Sequence, residues 1–411
     1  MPATHGLSGR IGWFVVGLAA VAACARATTP PGMATADTGW VATWAPSQQL
    51  TEPHNMPPAP GLRGSTLRQV LRATLGGTRL RIRISNVFGD MPVAISSVYI
   101  ARPAGPGAVD PATDRAVAFG GGSGVTIPAG QAVISDPIDY ELAPLSDLVV
   151  TMHIEEVPDR VTGHPGSRAT SYLQAGTHVN DAVLQAASTT EHWYLLAAVD
   201  VWRDDGAGIL VALGNSITDG RGSGTDRNTR WTDYLAARLD SAGTNIGVVN
   251  AGLGGNAMIR GGLGPPALER LDRDVLDVPG ARWVIVLIGV NDIGNSEGSA
   301  AGVAEELIAG YEEIIARVRV RGLRVYGATI LPFGGSQYDS PEHEEMRTRV
   351  NDWMRTAAPF DALIDLDAVM RDAGNPSRLS PAFDTGDHLH PNEAGYRALA
   401  DAVDTDLFVR Q

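Results

Sequence analysis

Cysteine is nearly absent from this chain: Cys24 is the only one among 411 residues. One thiol cannot form an internal disulfide or a cysteine metal site, so both are excluded. Positive charge is also scarce. With 32 basic against 46 acidic residues the formal net charge is −14, and no basic stripe offers itself to a phosphate backbone. This argues against a nucleic-acid partner and for neutral or weakly charged small-molecule substrates. Long hydrophobic runs are missing too, since the run from Ile11 to Ala23 is too short to span a bilayer comfortably. Glycine (48) and proline (26) are plentiful and imply many turns; otherwise 44% hydrophobic and 19% charged residues make an ordinary folded composition. The length exceeds what one hydrophobic core usually organises, so two domains are expected.

The apolar run follows Arg10 and has the length of a signal-peptide h-region. It leads into Val21-Ala22-Ala23-Cys24, which is similar to a bacterial lipobox, where the cysteine is acylated and becomes the new N-terminus. The sole cysteine standing there favours that reading over a plain signal peptide removed together with its cysteine. Residues 1–24 are therefore expected to be a lipoprotein signal peptide, and 25–38, rich in Ala, Thr and Pro, a flexible tether. The protein is expected to be exported and anchored to a membrane only through a lipid on Cys24.

Two further regions differ in period. Across residues 39–203 apolar positions alternate: in TLRQVLRATLGGTRLRIRIS, Leu80, Ile82 and Ile84 fall on one face and Arg79, Arg81 and Arg83 on the other. Gly76-Gly77 lies between two such runs and reads as a hairpin turn. Further short runs (VAISSVYIA, DLVVTMHIEE, YLLAAVDVW) separated by Gly, Pro, Asp and Asn predict an all-β, sandwich-like domain. Across residues 204–411 apolar strands (GILVALG, NIGVVNAG, WVIVLIGVND, RVYGATILPF, ALIDLDAV) alternate with amphipathic helices. Near-continuous apolar strands of this kind predict an α/β domain whose parallel sheet is covered on both faces. Ligands meet such sheets at the loops after the strand carboxyl ends.

The loop after the first of these strands presents Gly214-Asn215-Ser216-Ile217-Thr218. Thr218 occupies the place of the second glycine of a G-x-S-x-G nucleophile elbow, and a serine before a helix is ordinarily a cap or turn residue. The last loop, Asp387-His388-Leu389-His390-Pro391-Asn392, changes this. A carboxylate three residues before a histidine can hold one ring nitrogen, and a histidine so held can take the proton of a serine hydroxyl. Asn250-Ala251-Gly252-Leu253-Gly254-Gly255-Asn256 and Gly289-Val290-Asn291-Asp292 end the second and third strands. They offer backbone N–H groups and a side-chain amide of the kind an oxyanion needs, although singly each is a turn.

Taken in order, Gly-Asn-Ser-Ile-Thr, Gly-Gly-Asn, Gly-Val-Asn-Asp and Asp-His-Leu-His resemble the four blocks of the SGNH hydrolase superfamily, the GDSL-type esterases. The resemblance implies a flavodoxin-like three-layer domain and ester hydrolysis without cofactor or metal. It matches Ser216 to the nucleophile, Asp387 and His390 to the rest of a triad, and Ser216, Gly255 and Asn291 to the oxyanion donors, with Gly254 as alternative to Gly255 and His388 to His390. The family's commonest first block has Asp where Asn215 stands; with the acid supplied by Asp387, Asn215 is expected to hold the loop. The upstream region, with Trp40, Trp44, SNVFG and HPGSRATSY, looks like the N-terminal part of a bacterial subgroup associated with polysaccharide degradation. That likeness implies an acetyl esterase or arylesterase acting on small-molecule or glycan esters. The rivals are a lipid carboxylesterase or thioesterase, and a silent glycan-binding surface lipoprotein. Trp40, Trp44, His164 and Trp193 are candidates for sugar stacking, but aromatics in a β region more often fill the core.

Overall fold

The run GTRLRIRIS forms a strand, Gly77–Ser85, and its aliphatic face is wholly enclosed: Leu80, Ile82 and Ile84 are buried while the arginines point the other way. The computed structural model describes residues 39–408; the expected signal peptide, tether and Cys24 lie outside the described residues. The principal strands of the first region are β1 (Trp40–Trp44), β2 (Ser65–Arg72), β3 (Gly77–Ser85), β4 (Val93–Ala101), β5 (Asp147–Glu156), β6 (Thr162–His164), β7 (Ser171–Ala175) and β8 (Leu196–Trp202). They build one antiparallel sheet with the neighbours β1, β8, β3 and another with β7, β2, β5, β4. β6 lies in a small third sheet.

One expectation fails here. β2 and β3 flank Gly76-Gly77 but do not pair as a hairpin: β2 pairs with β5 and β7, and β3 with β8. The link between them crosses from one sheet to the other. Ala73 and Leu75 are buried instead of standing in an exposed turn, and Thr74 is fastened to Thr43 of β1 by its N–H (3.1 Å) and its hydroxyl (2.9 Å), both donated to the Thr43 carbonyl. Gly76 closes the crossing because a Cβ there would lie 2.6 Å from the Leu142 carbonyl oxygen. Alternation identifies the buried face of a strand, but two facing sheets of a sandwich bury the same kind of face.

The second region contains β9 (Gly208–Gly214), β10 (Ile246–Gly252), β11 (Ala281–Leu287), β12 (Arg324–Ala328) and β13 (Ala362–Ile364), all parallel and ordered β10, β9, β11, β12, β13. This is the flavodoxin-like order, with its switch point between β9 and β11. The helices that matter below are α1 (Ser216–Asp219), α2 (Trp231–Ser241), α3 (Val290–Gly294), α4 (Ala300–Val320), α5 (Pro341–Thr356) and α6 (Glu393–Asp401). Successive residues of β9 serve opposite layers. Leu210 and Ala212 pack with Trp231 and Leu235 of α2 and Tyr396 and Leu399 of α6, whereas Ile209, Val211 and Leu213 join Leu307, Tyr311 and Ile314 of α4.

That second layer does not stop at the α/β region. It continues through Val41 and Leu75 to Ile82 and Ile84 as one hydrophobic core, and the described residues from Gly39 onward form one compact unit. Polar contacts follow the same route: Val248 N–H of β10 donates to Thr74 Oγ1 (3.2 Å), and Ala42 N–H of β1 to the Pro279 carbonyl (2.9 Å). A continuous core should unfold as one. Ile82→Ala, a cavity far from the parallel sheet, is expected to cost about 2–5 kcal/mol and to shift a single unfolding transition seen by both tryptophan fluorescence and loss of activity. Two transitions, with only the first shifted, would show two independent units.

Candidate active site

β9 is apolar and buried along its whole length, and its last residue, Gly214, must lack a side chain because a Cβ would lie 2.1 Å from Thr218 Oγ1 and 2.8 Å from the Leu287 carbonyl oxygen. The chain then turns through Asn215. Extended backbone at Asn215 places its side-chain Oδ1 where it accepts the Ile217 N–H (3.0 Å) and caps α1. Asn215 is buried, and this cap is the loop-holding work expected of it. Ser216 therefore opens a helix of four residues, which ends at Gly220 in the left-handed region (φ 102°). The Ser216 N–H lies in the first turn, where no helical carbonyl is available to it.

The loop before α6 is folded around two aspartates. Asp384 accepts N–H groups from Gly386 (2.8 Å) and His388 (3.0 Å) and also holds the His388 ring, which is half exposed. Asp387 accepts N–H groups from Leu389 (3.0 Å) and His390 (2.9 Å) and the Thr385 hydroxyl (3.0 Å), and its Oδ2 lies 2.7 Å from His390 Nδ1. The other ring nitrogen, His390 Nε2, lies 2.8 Å from Ser216 Oγ. The structure thus brings Ser216, His390 and Asp387 into one line, and the separate pairing with Asp384 keeps His388 out of it.

Electrostatics suit this line to proton transfer. Burial raises the Asp387 carboxyl, but the hydrogen bonds from His390 and Leu389 outweigh it and hold the group well below the usual carboxylate range. For His390 burial is the larger effect and lowers the ring below its ordinary value of 6.5, against the raising influence of Asp387; Arg221 and Arg168 lower it further. A neutral imidazole with Nδ1–H donated to Asp387 leaves Nε2 free to accept from Ser216.

In the turn after β10 the Leu253 and Asn256 N–H groups are spent on the Gly214 and Leu253 carbonyls (3.2 and 3.3 Å). The N–H groups of Gly254 and Gly255 remain, so both stay candidates; Gly255 has φ 64°, a conformation that suits glycine. Asn291, in the first turn of α3, donates one amide N–H to the Asn256 carbonyl (2.9 Å) and accepts the Tyr338 hydroxyl on Oδ1 (3.0 Å), which orients its second N–H. Beside it, Asp292 accepts Met258 N–H (2.8 Å) and Ile259 N–H (3.0 Å), while burial pushes its carboxyl up to about 6. Asp292 and Tyr338 were not singled out by sequence reasoning. Asp292 was visible as the fourth letter of Gly-Val-Asn-Asp, whereas Tyr338 carries no local signal.

The aromatic candidates for sugar stacking belong to the interior. Trp40 lies edge-on to Trp202 and under Arg81, Trp44 and Trp193 meet edge to face, and His164 is turned toward Asp219; all four are under 10% exposed. A cavity of about 250 Å³ beside Trp44, Tyr172, Trp193, His164 and Asp219 is lined by residues of the β region, α2 and β10, and neither Ser216 nor His390 lines it.

Residues 212–398, which contain Ser216, Gly255, Asn291, Asp387 and His390, match the model of the GDSL-like Lipase/Acylhydrolase family. Solved structures similar to this chain include a lipase/acylhydrolase from Enterococcus faecalis (23% identity, 47% of this chain and 92% of that one, TM-score 0.37) and the M. smegmatis aryl esterase (20%, 48% and 96%, TM-score 0.38). An acetyl xylan esterase from Geobacillus stearothermophilus is also similar (22%, 48% and 94%, TM-score 0.37). No curated protein matches the chain. With the family match spanning the loops that meet at the carboxyl ends of β9, β10 and β11, residues 212–398 make up a GDSL-like lipase/acylhydrolase domain.

Proposed function

We propose that the protein is a serine esterase that removes O-acyl groups, chiefly O-acetyl, from carbohydrate esters through an acyl-enzyme on Ser216. One observation carries the mechanism: Ser216 Oγ, His390 and Asp387 are joined by contacts of 2.8 and 2.7 Å. Ser216 Oγ attacks the ester carbonyl as its proton passes to His390 Nε2, and Asp387 stabilises the imidazolium so formed. The carbonyl oxygen, now negative, is received by the N–H groups of Ser216 and Gly255, with Gly254 as alternative, and by the Asn291 amide. His390 returns the proton to the departing alcohol. Water then adds to the acyl carbon, with His390 taking its proton, and the acid leaves with Ser216 restored.

The preference for a short acyl group on a polar alcohol rests on the surroundings. Arg221 N–H is bonded to the Ser216 carbonyl, Thr385 to Asp387, and Gly222 abuts Pro391, so polar backbone and side chains flank the serine and histidine; Leu263, beside Gly255, is the large exposed aliphatic group at this rim. A long acyl chain needs more apolar wall than that. The carbohydrate parent rests on the likeness of the β region to polysaccharide-associated proteins, and export with a lipid on Cys24 belongs to the same proposal.

Acetate release from a panel of acetylated glycans by wild type, absent in Ser216→Ala, is the direct test. With p-nitrophenyl esters, activity is expected to fall steeply from acetyl to octanoyl, and a preference for octanoyl would favour a lipid esterase. Asn291→Ala should lower kcat about 10²–10³-fold if the amide serves the oxyanion; unchanged kcat with a raised KM would make it a binding residue. Asn215→Asp keeps the capping oxygen and is expected to stay within about tenfold of wild type, a barrier change of about 1.4 kcal/mol or less. Because His390 must be neutral to accept a proton and burial lowers its pKa, activity is lost as pH falls through a midpoint below 6.5. An acid limb of kcat/KM centred above 6.5 would contradict that assignment.

A further inference from the structure

We propose that the β region is part of the catalytic apparatus, because a buried chain of hydrogen bonds, Asp219 to His164 to Ser47 to Arg270, fixes both the nucleophile helix and the oxyanion loop. His164 and Arg270 are positioning residues in this chain, and their role rests on the esterase reading above.

Ser47, in the segment after β1, is the hub. Its carbonyl accepts from His164 Nδ1 (2.7 Å), and its hydroxyl accepts from an Arg270 terminal nitrogen (2.7 Å). On one arm, His164 at the end of β6 sets Nε2 2.9 Å from Asp219 Oδ1, with both side chains almost fully enclosed. Asp219 is the last residue of α1 and Ser216 the first, so the four-residue helix is held at one end by the Asn215 cap and at the other by a histidine of the β region. Asp219 is closely packed on both its parts: a Cβ on Gly166 would lie 1.8 Å from its carboxylate Oδ2, and one on Gly252 2.3 Å from its backbone N.

On the other arm, Arg270 is fully buried and distributes its donors over the strand ends that bear the site. It donates to the carbonyls of Gly214 (2.9 Å) and Ala251 (2.9 Å) and, through Nε, to Asn256 Oδ1 (3.0 Å). Asn256 in turn offers its carbonyl to the Asn291 amide. From Ser47, therefore, one arm ends on the helix of Ser216 and the other on the turn of Gly254 and Gly255 and on Asn291.

Their partners separate the two buried histidines. His390 faces a carboxylate and a hydroxyl that can donate, so a neutral ring satisfies both sides. His164 faces a carbonyl and a carboxylate, both acceptors, so its ring is placed to tie two elements together and not to take a proton from a hydroxyl. Apolar packing already joins the two regions, and a buried ionic chain adds little to stability over apolar groups. It supplies orientation, and a displacement of about 1 Å at a reacting group costs on the order of 10² in rate.

The test compares His164→Ala with wild type on p-nitrophenyl acetate, counting active sites by stoichiometric release. The expected result is kcat per active site lower by about 10²-fold with KM within about twofold. Imidazole should partly restore the rate, entering by the cavity that His164 lines, in excess over its effect on a Ser216→Ala blank. Asp219→Asn, whose amide keeps a polar group within reach of His164 Nε2, should stay within about fivefold, whereas Asp219→Ala should match His164→Ala. A His164→Ala enzyme with wild-type kcat per active site would overturn the proposal. If that variant does not fold, His164→Gln, which can serve only one of the two acceptors well, takes its place with the same criteria. Should the wild type cleave no ester, the esterase reading fails by itself. Deuterium uptake then decides: faster exchange in peptides covering residues 212–222 and 250–258, but not 300–320, supports the proposal, and unchanged exchange in the first two rejects it.

Discussion

The proposed chemistry depends on one hydrogen bond between side chains 174 residues apart, Ser216 Oγ to His390 Nε2. A contact of that span cannot be held by local structure. It exists because a parallel sheet delivers all its strand carboxyl ends to the same edge, so that the turn after β9 and the loop before α6 open on one side. Each partner is then fixed by short-range bonds. Asn215 caps the serine's helix, and the backbone N–H groups of Leu389 and His390 orient Asp387, which orients the ring.

How much of this was legible depended on how far apart the partners lie. The parallel region showed clearly because its strands are largely apolar runs: GILVALG is the strand Gly208–Gly214 residue for residue. The residues that meet at its edge also stood in short blocks whose order could be recognised. Between His388 and His390 spacing alone could not choose; the choice is made by Asp384, which engages the first ring and leaves the second to Asp387. Alternation in β2 and β3 was read correctly as strand and wrongly as hairpin, since period two reports which face is buried and not which sheet receives it. Arg270 and Ser47 could not have been found at all. Each is one polar residue without a motif, and the bond between them spans 223 positions.

The polar interior has a common chemical character. No lysine occurs in the sequence, so every one of the 32 basic residues is arginine. A guanidinium presents several N–H donors in a fixed plane and remains charged when enclosed, which lets one side chain tie several backbone carbonyls. Arg270 does this under the active-site turns, Arg68 does it inside the β region with the Gly107 and Asp181 carbonyls, and Arg347 of α5 joins Glu344 of the same helix to Asp367. Asp292 shows the opposite arrangement, a carboxylate largely enclosed whose hydrogen bonds come from the Met258 and Ile259 N–H groups, and burial pushes it up to about 6.

The position of β10 at the border of the parallel sheet has a consequence for solubility. An open border strand displays unpaired N–H and C=O groups and is a template for pairing with another chain. Here β1 and the Thr74 crossing lie along that border, and Thr74 Oγ1 takes the Val248 N–H that a foreign strand would otherwise seek. The β region thus occupies part of the border that β10 would otherwise leave open. An α/β half separated from it would lose that cover and present β10 as a bare edge.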